Sequence, residues 1–169
     1  MKIFLKNKKF QKGSLLLEIV IAVSIITLAV IGSVAVSQKA VSLSRQSLHQ
    51  SQAAFLLEEG AESVKIFRDS NTWANFSNIF TLGNTYYLSL NIPTWTTSLP
   101  TTSSGNTIGI FTRSIVLSSV CRDASSSNII TCGSPVDAGT KLVIVTVSWS
   151  ENGLTISKTL SFYINNIFS

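Results

Sequence analysis

The chain has 169 residues and a formal charge of +5, yet only 12% of its residues are charged and 45% are hydrophobic, which excludes a disordered polyelectrolyte. Five of the basic residues, Lys2, Lys6, Lys8, Lys9 and Lys12, precede residue 13, and without them the chain is formally neutral. The positive charge is a local feature of the N-terminus, so no specific nucleic-acid partner is inferred from it.

The lysines lead into Gly13-Ser14-Leu15-Leu16-Leu17-Glu18, and from Ile19 to Gln38 there is no charge at all. As a helix this run reaches about 30 Å, enough to cross a bilayer. Lysines just before a span mark its cytoplasmic flank, so everything after Lys39 is expected outside the cytoplasm. Within the span, Gly32-Ser33 either loosens the helix or admits a neighbouring helix closely. A lone carboxylate at the mouth of such a span is costly. Glu18 therefore needs a partner, and an ordinary uncleaved signal anchor supplies none.

Beyond Gln38 the apolar residues narrow to a stripe. Ala53, Leu57, Ala61, Val64 and Phe67 recur at steps of three and four, while Gln52, Glu58, Glu59, Glu62 and Lys65 lie mostly elsewhere, the pattern of a helix with one buried face. The helix is expected to run to about Arg68 and to stop at Ser70-Asn71. Lys65 and Asp69 have the i,i+4 spacing of an ion pair. The acids around Gly60 are either a solvated face or an assembly contact.

From Thr72 to Gly109 the chain reads as loop with a short strand near Tyr86 to Leu90, broken at Pro93 and Pro100. Its aromatic residues, among them Trp73, Phe76, Phe80, Tyr86 and Trp95, are expected to pack on the helix or sheet. No basic residues are interleaved with them to hold a phosphate backbone. Three stronger strands follow, Ile110 to Val120, Leu142 to Ser150 and Leu154 to Ile164, the last two joined by Glu151-Asn152-Gly153 with its hairpin signal. An antiparallel meander laid on the helical stripe accounts for all three.

Cys121 and Cys132 flank a Ser/Asn-rich loop, and outside the cytoplasm they are expected to form a disulfide. With two cysteines and one histidine, His49, the chain lacks the four ligands of a closed zinc site. Asp123 and Asp137 are expected in solvated loops rather than a calcium site. No catalytic constellation and no phosphate-binding loop is found, so neither an enzyme nor a cofactor is expected.

The Lys-rich leader, Gly13, the three leucines, Glu18 and the apolar run together resemble the prepilin class of type IV pilins and pseudopilins. The resemblance covers about the first quarter of the chain. It implies cleavage by a prepilin peptidase between Gly13 and Ser14, methylation of the new Ser14 amine, and a role for Glu18 in assembly. The family usually begins its mature chain with Phe or Met, whereas here the residue is Ser14. The stretch from Ala54 to Asn71 is similar to minor pilin and pseudopilin subunits, as are the strand with Arg113 and the Val147-Ser148-Trp149 hairpin.

The expected fold is α+β and pilin-like, with a long N-terminal helix packed on a small antiparallel β-sheet head. Its segments are a removed leader (1–13), a transmembrane or filament-core helix (14–38), an amphipathic helix (39–69) and a β-rich head (70–169). The implied function is a structural subunit, of the minor kind, in a type IV pilus or type II secretion pseudopilus. Its implied partners are the prepilin peptidase, other pilin or pseudopilin subunits, the assembly platform and the cytoplasmic membrane. It would first sit in that membrane with its head outside, then enter an extracellular or periplasmic filament. The alternative is a signal-anchored surface adhesin or binding protein that never polymerises.

Overall fold

The computed structural model describes residues 12–91, 96–97, 107–132 and 135–167. Most of the leader, together with Pro93, Trp95 and Pro100, lies outside them. The chain divides into two units, Met1–Leu48 and His49–Ser169.

One helix, α1 (Lys12–Asp69, 58 residues), belongs to both units. In the first unit it is apolar and every described side chain from residue 15 to 48 is exposed or nearly so. It is long and apolar enough to cross a membrane. Four of its hydroxyls are satisfied within the helix: Ser24, Thr27, Ser33 and Ser37 each donate to the carbonyl four residues back at 2.7–2.9 Å. Such back-bonding removes the penalty of a bare hydroxyl in an apolar medium. The helix continues through Gly32, where an added Cβ would meet nothing within 4 Å.

In the second unit α1 packs on a six-stranded antiparallel sheet. A short helix, α2 (Trp73–Ile79), follows α1. The strands are β1 (Thr85–Tyr86), β4 (Thr107–Ile108), β5 (Phe111–Arg122), β6 (Ile129–Ile130), β7 (Val136–Glu151) and β8 (Leu154–Asn165); a separate ribbon pairs β2 (Leu90–Asn91) with β3 (Thr96–Thr97). The sheet runs β1-β5-β7-β8, with β4 and β6 also on β5. The strand alternation sets its two faces. Phe111, Ile115 and Leu117 of β5 and Val143, Val145, Val147 and Trp149 of β7 are buried. Their neighbours Thr112, Ser114, Thr146 and Ser148 are only partly covered on the other side.

The stripe Ala53, Leu57, Ala61, Val64 and Phe67 is buried throughout, and all but Ala61 belong to the same core as the inner face of the sheet. Burying side chains such as Leu57, Val64 and Phe67 is worth about 1.5–3 kcal/mol each. The β7–β8 turn has Asn152 at φ 51° and Gly153 at φ 79°, the two left-handed residues that a type I′ hairpin requires.

The fold is thus α+β, a long N-terminal helix on a small antiparallel sheet, consistent with a pilin-like fold. Two local expectations are corrected. Residues 73–79 form α2 rather than loop, because Thr72 caps it: its Oγ1 accepts from the Asn75 N–H at 3.4 Å. Lys65 pairs with Glu62 at 2.6 Å rather than with Asp69, which is held by Arg68. The helix ends where Ser70 and Asn71 turn back, the Asn71 amide donating to the Phe67 carbonyl at 2.8 Å. Phe76 of α2 and Phe80 after it pack inward between Phe67 of α1 and Tyr86 of β1, in a chain of ring contacts 5.0–6.4 Å apart.

Candidate functional site

Gly13, Ser14 and Glu18 all lie in the first turns of α1. The Glu18 side chain is exposed. Beside it the helix surface dips between Leu17, Ile21, Ala22 and Ile25. Ser14 and Glu18 are one turn apart, which puts them on one helix face.

At the far end of the sheet Cys121 is disulfide-bonded to Cys132, their Cα atoms 4.9 Å apart. Cys121 is buried while Cys132 is exposed. The bond closes the loop that leaves β5 after a register shift at Ser119–Val120. Arg122, next in line, holds the mouth of that loop. Its Nε donates to Asp137 at 2.6 Å, and its two terminal nitrogens donate to the Ser127 carbonyl at 3.0 Å and Thr140 Oγ1 at 3.3 Å.

The two aspartates expected in solvated loops differ in placement. Asp137 belongs to β7, and hydrogen bonds from Thr140 and Arg122, with the Gly139 N–H, lower its carboxyl to about pH 2. Asp123 stays in the loop, where the hydroxyls and N–H groups of Ser125 and Ser126 hold it well below the usual carboxylate range. Both carboxylates are thus engaged by the chain's own donors. Among the described residues no group of three or more His, Cys, Asp or Glu side chains is placed to hold a metal.

Arg113 sits at an inward position of β5 and is 1% exposed. It donates to the Leu56 carbonyl at 3.2 Å and the Leu88 carbonyl at 3.1 Å, and it pairs with Glu59 at 3.1 Å. This clamp joins α1, β5 and the segment between β1 and β2. Gly60 makes it possible: a Cβ there would stand 2.9 Å from Arg113 Cδ and 2.8 Å from Val145 Cγ1. Of the acids around Gly60, then, Glu59 is bound within the head, Glu62 is paired with Lys65, and Glu58 is exposed. The signal for the clamp was a charged residue in phase with Phe111, Ile115 and Leu117, and a glycine in mid-helix.

Neither the known family models, nor the curated proteins, nor the solved structures contain a match to this chain.

Proposed function

We propose that the chain is a prepilin whose mature form is a structural subunit, of the minor kind, in a type IV pilus or type II secretion pseudopilus. The observation that carries this reading is Glu18, a carboxylate on the exposed surface of an otherwise apolar helix, five residues after the Gly13–Ser14 peptide. Cleavage of that peptide would create a cationic amine on Ser14. In a neighbouring copy shifted along the helix axis, the amine comes within reach of Glu18.

In this mechanism the processed subunit waits in the cytoplasmic membrane with its head outside, and the assembly platform then extracts it. Helix–helix packing replaces helix–lipid packing, so the net drive is a difference between small terms. The ion pair fixes register more than affinity, because desolvating two charges offsets much of their attraction. The second unit supports the reading in a different way: its helical part is bound to its own sheet, so the exposed apolar part is left for other partners. A disulfide in the head fits a location outside the cytoplasm.

Glu18→Ala is expected to insert into the membrane and be cleaved as usual but to be missing from sheared filaments or the secretion pseudopilus. Incorporation at the wild-type level would refute the pairing. The anchored adhesin remains the competing reading, because it shares the span and the head, but it gives Glu18 no role.

A further inference from the structure

The sheet of the head ends differently on its two sides. Three two-residue strands, β1, β4 and β6, lie along the outer edge of β5, whereas among the described residues no strand pairs with the free side of β8. Strand β8 runs twelve residues beside β7 in one unbroken register, without a bulge or a proline. An edge of that length and regularity is a template for another strand.

The groups it offers follow from a single bond. The Asn166 N–H donates to the Gly139 carbonyl at 2.8 Å, and hydrogen-bonded pairs alternate along an antiparallel ladder. Even-numbered residues of β8 therefore bond to β7, and the odd-numbered ones turn their N–H and C=O outward. The last of these carbonyls, that of Asn165, is engaged by Arg68 Nη1 at 3.1 Å. Thr155, Ser157, Thr159, Ser161 and Tyr163 remain, their side chains exposed and uncharged. We infer that these five residues pair with the same five of a second copy, antiparallel and centred on Thr159.

Charge selects the register. Lys158 is the one charged residue of β8, in phase with the inward Ile156, Leu160 and Ile164. A pair centred on Lys158 would set the two ammonium groups opposite one another, which is unfavourable. Centred on Leu160, it would bring Lys158 against Phe162 of the second copy, whose ring Lys65 already covers at 5.7 Å, and would call on the engaged Asn165 carbonyl. Centres further out leave more outward groups unpaired. Centred on Thr159, Lys158 faces Leu160 and all five outward residues are used. The same register covers exposed apolar surface: Leu154, 71% exposed, meets Ile164 of the second copy, and Tyr163, 50% exposed, meets its Thr155.

The two-fold axis of such a pair is perpendicular to the sheet and reverses α1 where it lies on the sheet. Contact of this kind links heads that approach from opposite directions, and it is distinct from the packing of like-oriented subunits in a filament. It rests on the sheet alone, so failure of the pilin reading leaves it intact.

The test uses the full-length protein in detergent. Thr159→Cys places two thiols on the two-fold axis, where the Cα atoms of a hydrogen-bonded pair stand about 5.5 Å apart, within reach of a disulfide. Mild oxidation is expected to give a covalent dimer. Thr155→Cys alone, with its two copies about 27 Å apart by the strand rise, is expected to give none, whereas Thr155→Cys combined with Tyr163→Cys is expected to cross-link. Thr159→Lys, exposed on the outer face, is expected to halve the mass seen by light scattering, because it sets two charges opposite one another. Equal cross-linking at Thr155→Cys and Thr159→Cys would assign the association to apolar helices sharing a micelle and overturn the pairing. A dimer that survives Thr159→Lys, or no cross-link at Thr159→Cys, would overturn it as well.

Discussion

Arg113 brings a full charge into a face otherwise made of Phe111, Ile115 and Leu117, and the chain surrounds it with two carbonyls and Glu59. Removing one partner of such an arrangement strands the rest, which typically costs about 3–5 kcal/mol. Arg113→Ala is expected to destabilise the head by that order in denaturant titrations of the detergent-solubilised protein, and Arg113→Met, which keeps the apolar stem, by less. Gly60→Ala tests the same clamp from the helix side. Overpacking against Val145 and Arg113 is expected to cost about 1–3 kcal/mol, although alanine is the better helix former. A gain in stability would mean that the sheet does not approach the helix so closely. The inward phase of Arg113 with Phe111, Ile115 and Leu117 went unread in the sequence, and its partner carries no sequence signal at all. Glu58, Glu59 and Glu62 all precede it on one helix, and only the packing of α1 on β5 decides that Glu59 is the one that pairs.

At the scale of elements, β7 and its neighbours connect acid sensitivity to one network. Asp137 has a carboxyl lowered from 3.8 to about 2. A lowered folded value means that its contribution is complete above about pH 4 and is lost as the pH falls to about 2. Asp137→Asn is therefore expected to be less stable than wild type at neutral pH, with the gap closing across this window. Denaturant midpoints measured from pH 5 downward would show it; a constant gap would remove Asp137 from the linkage.

The long elements were legible because each repeats one signal many times. The stripe from Ala53 to Phe67, the alternation in Leu142 to Ser150 and the Asn152-Gly153 turn all appear in the structure where the pattern put them. Strands β5 and β7 run longer than expected, since Arg122 and Asp137 join them through a side-chain network that has no periodicity. The short helix α2 was missed for a related reason: seven residues give too little periodicity, and its signal was the single capping hydroxyl of Thr72.

At the scale of the whole molecule, one helix serves two environments. From His49 onward its stripe is occupied by the sheet of its own chain, whereas the described apolar part before it is exposed, Glu18 included. The proposed site is written in one stretch of sequence, and Ser14 and Glu18 need only helical spacing to share a face. In the proposed pairing its second half belongs to another copy, which no single chain displays.

The decisive measurement is the N-terminal residue of the protein recovered from membranes and filaments, by mass spectrometry of the terminal peptide. A terminus at Ser14, with or without a methyl group, is the expected result and supplies the amine that Glu18 requires. Recovery of the chain beginning at Met1 would contradict the subunit reading and leave an anchored surface protein.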